Sequence, residues 1–311
     1  MGMLPRWLKA DTAYAQTQRT VDRQFLFVPD PEIRRIIGAA AGRAQKKHPV
    51  LIYWLDFNIN HEQNGLAAIS ESPEHLNNLV LFKKTFHRIL AEELNRKLKR
   101  EGAVFSTPPR TVECVDEPSL EQQFFYALTN PVKDGLVAHI SEWGGFSSYR
   151  ALAHGAVETF AYIDRTAWHK AGGKRKNLPL QQFTKTARIE YTPLPHHAGM
   201  KPHARQAFIR REVRALEEKF QKEREASGRK PMGAAALSRV DPRSRPANPK
   251  ARTRKPVCHA ASKERAKEYR DALKAYVDAY RVASAAYRSG VHDVEFPPGS
   301  IRPPLITVCG F

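Results

Sequence analysis

The chain has 311 residues, enough for one large domain or for a catalytic domain with an appendage. Its 51 Lys and Arg against 32 Asp and Glu leave a formal charge of +19, which a folded protein carries best beside a polyanion. No stretch approaches the roughly 20 apolar residues that cross a bilayer, no leader peptide is expected, and the three scattered cysteines make neither a CxxC zinc pair nor a disulfide framework.

Residues 12 to 28 read as one or two strands, and Pro29-Asp30-Pro31 supplies a turn and a helix start. Ile33, Ile36, Ile37 and Ala40 then recur at helical spacing as far as Lys46-Lys47-His48. The apolar run Val50 to Phe57 has the length of a buried strand, and a second strand is expected over Leu66 to Ile69. Pro73 opens a long amphipathic helix with Leu76, Leu79, Val80, Phe86, Ile89, Leu90 and Leu94 on one stripe. Thr111 to Val115 suits another strand; Glu117-Pro118-Ser119 starts a helix through Leu128 to Asn130, with Pro131 as its stop. The resulting order, ββαββαβα, predicts an α+β sandwich with a largely antiparallel sheet over residues 1–150.

Residues 151–226 read as a basic, partly helical extension with a patch at Lys174-Arg175-Lys176 and a charged helix near Ala204 to Ala226 that carries Arg210 and Arg211. Between residues 201 and 256 seventeen Lys and Arg face six Asp and Glu, so phosphate contacts that weaken with salt are expected. Residues 227–258, rich in Pro, Arg, Lys, Gly and Ser, read as a flexible basic linker, and residues 259–311 as a helix with Tyr269, Leu273, Tyr276, Val277 and Tyr280 ahead of a Pro-rich tail.

Tyr126 to Val137 reads YALTNPVKDGLV and is followed by Trp143-Gly144-Gly145-Phe146-Ser147-Ser148-Tyr149. This string resembles the REP-associated tyrosine transposases, single-tyrosine members of the HUH superfamily, in which a tyrosine precedes Asn-Pro-Val and a Trp-containing, Ser-rich turn follows. Arg19 to Asp30 resembles that family's opening strand and first helix entry, and Val294 to Gly299 its Phe-Pro-Pro-Gly motif. The resemblance is dense over residues 12 to 150 and sparse beyond. It implies an HUH-type, ferredoxin-like sandwich with a basic linker and a C-terminal helical extension.

The family needs two histidines one residue apart on a strand, which puts both rings on one face. His61 matches the first; Gln63 stands where the second is expected, and Glu62 replaces a residue that is usually apolar. Tyr126 and Asn130, four apart on a helix, share a face. By resemblance His61, Gln63 and Asn130 hold one Mg²⁺ or Mn²⁺, Tyr126 attacks the scissile phosphate to give a 5′-phosphotyrosine, and no nucleotide cofactor is required. Attack at neutral pH calls for a cation or base beside a phenol that ionises near pH 10, a need that the metal and the surrounding Lys and Arg would meet. The implied substrate is single-stranded or hairpin DNA bound through phosphate contacts and stacking, with Lys174, Arg175, Lys176, Arg210 and Arg211 as the expected contacts. A monomer or a homodimer, cytoplasmic and associated with the nucleoid, fits that role.

The same residues have plainer readings. His61 and Gln63 suit exposed turn positions, with Asn64-Gly65 as a hairpin signal. Asn130 suits a helix end, His196-His197 and His203, with adjacent prolines and no cysteines, suit a solvated loop rather than an ordered zinc site, and Trp143 to Tyr149 suits packing and turn structure. Two further functions therefore stay open: a DNA-binding protein on the same fold that has lost its metal, and an RNA-binding protein.

Overall fold

Three of the main helices start alike, with a capping side chain and then a proline in the first turn, where a missing N–H leaves no bond unmade. Asp30 caps α1 (Pro31–Lys47), Ser72 caps α2 (Pro73–Lys97) and Asp116 caps α3 (Glu117–Lys133), each accepting from backbone N–H groups of the first turn. The computed structural model describes residues 5–10, 12–106, 110–247 and 256–303.

The strands of the first half are β1 (Tyr14–Arg19), the hairpin β2 (Leu51–Asn58) and β3 (His61–Ala67), and β4 (Arg110–Cys114). After α3 come α4 (Tyr149–His154), the paired strands β5 (Thr159–Ile163) and β6 (Thr184–Arg188) with α5 (Arg165–Lys170) between them, and α6 (Pro202–Ala226). Last are α7 (Ala234–Leu237), the two-residue β7 (Cys258–His259) and α8 (Lys263–Arg288). The main sheet has the order β2-β3-β1-β4-β7, antiparallel throughout except for β7, which runs parallel to β4. The expected mixed α+β fold with an antiparallel-dominated sheet is therefore what forms. No helix among the described residues is long and apolar enough to cross a membrane.

Side chains alternate across this sheet and feed two cores. On one face Tyr14, Ile52, Leu55, Phe57 and Leu66 pack with α1 and α2. On the other Ala13, Ala15, Trp54 and Ala67 pack with α3, behind which Ile209 and Val213 of α6 close the layer. Whatever β3 shows to α3 is thus held between a strand and a helix that are both anchored.

One expectation narrows and three change. The opening has a single strand, because Asp22 and Arg23 take φ of 48° and 59° and turn the chain; Leu26 and Phe27 are then buried as core residues of an irregular segment. The hairpin turns at Ile59-Asn60, so Asn64-Gly65 lies inside β3 and the second strand begins at His61 rather than Leu66. Pro131 does not stop α3: in the last turn it forfeits one bond, and the helix continues to Lys133, with Asp134 N–H donating to the Asn130 carbonyl at 2.9 Å. The segment expected to be a flexible linker carries α7, buries Leu237, and is bonded from Met232 and Gly233 N–H to the Gly135 and Leu136 carbonyls, and from Phe25 N–H to the Ser244 carbonyl; residues 248–255 lie outside the described residues. The expected C-terminal helix forms as α8 and docks on the start of the chain, where Trp7 stacks on Tyr276 at 5.0 Å and the Tyr276 hydroxyl donates to the Arg6 carbonyl at 2.7 Å.

Gly65 has a steric reason to be glycine. It pairs across the hairpin with Trp54, and a Cβ there would enter the indole ring. Trp54 is almost fully buried. Gly65→Ala is expected to cost about 1–3 kcal/mol, the usual range for overpacking, read as a lower midpoint in urea denaturation; an unchanged midpoint would show that the ring yields freely.

Candidate active site

The turn at Ile59-Asn60 sets the register that matters. From His61 onward, odd-numbered residues of β3 face α3 and even-numbered ones face α2. His61 and Gln63 therefore look toward α3, and they meet there a single side chain. The Asn130 amide nitrogen lies 2.8 Å from His61 Nε2 and donates to Gln63 Oε1 at 3.0 Å. His61 Nδ1 lies 2.9 Å from Asn60 Oδ1. An amide oxygen there only accepts, so Nδ1 carries the hydrogen and Nε2 keeps its lone pair. Burial lowers the His61 pKa to about 4, helped by the Arg19 charge and opposed by Glu62, so the ring is neutral at pH 7. Asn130 is 2% exposed, and its Oδ1 is buried with no hydrogen-bond partner.

Glu62 belongs to the opposite face. It is fully buried against α2, where Lys83 forms an ion pair with Oε1 and His87 Nε2 lies 2.8 Å from the same oxygen. Burial works to raise its pKa, but the charges and hydrogen bonds of His87 and Lys83 prevail and leave it at about 2. The acidic residue in the middle of the motif is therefore a core ion pair and takes no part in the candidate site.

Tyr126 stands one turn before Asn130 on α3. It is 37% exposed, whereas Phe124, Phe125, Ala127 and Leu128 beside it are buried. Lys133 Nζ sits 4.3 Å from the ring centroid, a cation–π geometry. The phenol pKa is nevertheless raised, first by burial and then by the Asp134 carboxylate, with Arg19 working the other way. The Lys and Arg part of the expected cationic surround does not prevail: burial and the Asp134 carboxylate outweigh the Arg19 charge.

Asp134 was not foreseen. Positions 126, 130 and 134 are successive turns of one helix face, but a helix ending at Pro131 hides the third. Asn58 Nδ2 donates to Asp134 Oδ2 at 2.8 Å, which ties the end of β2 to the end of α3 beside the site. A second unforeseen group is Asp56 on β2. Ser147 Oγ donates to its Oδ1 at 2.5 Å, Ser148 N–H to Oδ1 at 3.1 Å, and Ser148 Oγ to Oδ2 at 2.8 Å. Burial raises the Asp56 pKa to about 6 against those bonds. The Ser-rich turn after Trp143 thus docks on the strand before the hairpin, in keeping with its reading as packing and turn structure.

The expected basic contacts divide. Lys174, Arg175 and Lys176 are exposed on the turn that follows α5. Arg211 is exposed and bonds its neighbour Glu212, whereas Arg210 donates to the Ala153 carbonyl at 2.5 Å and so holds the end of α4. His196 and His197 depart from the solvated loop expected of them. They form a 3-10 turn, Pro195–His197, packed against α3, with His197 buried; His203 is exposed.

No protein-family model matches the sequence, and no curated protein matches it. Among solved structures it is similar to one described as "Structure of the REP associates tyrosine transposase bound to a REP hairpin". The identity is 17%, the match covers 50% of this chain and 87% of that one, and the TM-score is 0.39.

Proposed function

We propose that this chain cuts single-stranded, hairpin-associated DNA through Tyr126, with His61, Gln63 and Asn130 holding one Mg²⁺ or Mn²⁺. The observation that carries the reading is the convergence of three side chains, from a strand and a facing helix, on one point a single turn from a half-exposed tyrosine. The strand order β4-β1-β3-β2, with α1 and α2 on one face, supports an HUH-type, ferredoxin-like core over residues 1–150. The +19 charge and the exposed Lys174, Arg175 and Lys176 suit a DNA partner bound by the extension.

The donor set fits a divalent ion. The lone pairs of His61 Nε2 and Gln63 Oε1 are both aimed at the Asn130 amide, and the buried, partnerless Asn130 Oδ1 supplies a third lone pair when the amide is reversed. All three ligands are neutral, so binding is expected to tighten when a DNA phosphate adds negative charge. Held by these three side chains, such an ion would supply Lewis-acid polarisation of the scissile phosphate. The Tyr126 oxygen attacks phosphorus and the bond to the 3′ oxygen breaks; the phenol gives its proton to solvent and the departing 3′ oxygen takes one up from it, leaving a 5′-phosphotyrosine and a free 3′-hydroxyl.

The test is incubation with labelled hairpin DNA taken from beside the gene, in Mn²⁺ or Mg²⁺, followed by a denaturing gel. A DNA-linked protein band supports the reading. A second reading, a DNA-binding protein of the same fold that does not cut, is favoured by the uncharged ligand set and the raised phenol pKa; it expects tight, salt-sensitive binding and no band.

Asp134 gives a separate pH prediction. Its carboxylate helps to raise the Tyr126 pKa, so single-turnover cleavage is expected to climb through the alkaline range. Asp134→Asn removes the negative charge, lowers the phenol pKa and moves that limb to lower pH. A uniform loss of rate at every pH would instead assign Asp134 as the acceptor of the phenol proton.

A further inference from the structure

A second cluster of ligating side chains lies on α3, well away from the one just described. Glu121 Oε1 is 3.1 Å from His197 Nε2 and 3.7 Å from His196 Nε2, and ligand atoms of all three residues lie within 4.8 Å of one another. The imidazole rings are 4.2 Å apart, tilted by 67°. His197 is 5% exposed. Both ring nitrogens of His196 are shut off from solvent with no hydrogen-bond partner, an arrangement that costs free energy unless something fills the gap.

We propose that Glu121, His196 and His197 form a site for a zinc-class divalent ion, with the fourth position left to water. In a tetrahedral site with bonds of about 2.0–2.1 Å, neighbouring ligand atoms lie about 3.3–3.4 Å apart, and the observed 3.1 and 3.7 Å bracket that spacing. Two imidazoles and one carboxylate select Zn²⁺ over Mg²⁺, which prefers an all-oxygen, octahedral shell. The ion takes up one of the two orphaned nitrogens of His196 and replaces the hydrogen that His197 Nε2 shares with Glu121.

The placement gives the site its role. Glu121 sits in the early part of α3, nine residues before Asn130 and therefore about 180° around the helix from it. The histidines sit in the turn just ahead of α6, whose Ile209 and Val213 pack in the same core as Phe124 and Phe125. A bound ion clips the start of α6 to α3 and steadies the helix that carries Tyr126 and Asn130, without touching DNA.

The test uses the full chain, stripped with EDTA, in a His61→Ala background so that the first candidate site is disabled. Co²⁺ alone is titrated in, expecting the intense visible absorption of a tetrahedral site, then displacement by one equivalent of Zn²⁺ and a higher Tm. Mg²⁺ is expected not to compete. His196→Ala breaks no hydrogen bond, and the loss of a direct ligand should weaken Co²⁺ binding by more than the roughly 10–100-fold typical of an outer-shell partner. Equal Co²⁺ binding by His196→Ala and its parent, or a parent that binds neither ion, overturns the site and leaves Glu121 as an ordinary ion-pair partner.

Discussion

Tyr126→Phe is expected to lower formation of the DNA-linked product about 10⁴-fold or more, the scale on which removal of a covalent nucleophile acts, with hairpin binding unchanged. The substitution takes away one oxygen. The ring that Lys133 covers remains, as does the buried flank of Phe124, Phe125 and Leu128, so loss of fold is not the expected cause. His61→Ala is expected to do something different: a neutral ring nitrogen is lost from the metal set, and excess Mn²⁺ should restore part of the rate. An adduct that survives in Tyr126→Phe would move the nucleophile to another residue. Binding by the parent protein with no adduct in either metal would instead favour the non-cutting reading.

The second large effect concerns stability. Lys83→Met takes the buried cation from the Glu62 carboxylate and leaves it His87 and a long 3.4 Å bond from Asn64 Nδ2, and breaking a buried pair from one side costs about 3–5 kcal/mol. Replacing both partners, Glu62→Leu with Lys83→Met, is expected to recover most of that loss, because the desolvation cost of the carboxylate goes with it. Urea denaturation of the two single variants and the double variant measures this directly; additive losses would mean that the two charges do not depend on each other.

The acid limb of stability carries the same signature. Glu62 has a folded pKa of about 2, below its ordinary 4.5, so it adds stability above pH 4.5 that disappears as the pH falls toward 2. His61, lowered to about 4 from 6.5, acts in the same direction, because between those values the unfolded chain takes up a proton that the folded ring resists. Asp56, raised to about 6 from 3.8, works oppositely and favours the folded state at the acid end of its window. In Lys83→Met the folded Glu62 pKa rises toward its ordinary value and its share of this slope shrinks.

The parts of the site that follow from short-range periodicity were legible in the sequence. A two-residue spacing on a strand places His61 with Gln63, and a four-residue spacing on a helix places Tyr126 with Asn130. What was hidden depends on packing between distant segments or on a local rule overridden by its surroundings. Pro131 is tolerated because it falls in the last helical turn, and that tolerance brings Asp134 onto the face of Tyr126. Asn64-Gly65 has the composition of a turn, yet Trp54 lying across the glycine keeps it in the strand. The character of Glu62 is decided by Lys83 and His87, more than twenty residues away on α2. Phe27 lies in a segment of strand-like composition, but the left-handed residues before it break the extended chain.

The short strand β7 has a consequence that reaches past its two residues. By pairing with Glu113 and Cys114, it covers hydrogen-bonding groups of β4 at a border of the sheet, and α8 fastens that border to the first residues of the chain. An uncovered strand of this kind is a template for pairing with another molecule. A protein shortened before Cys258 is therefore expected to offer β4 to its neighbours even with both cores intact.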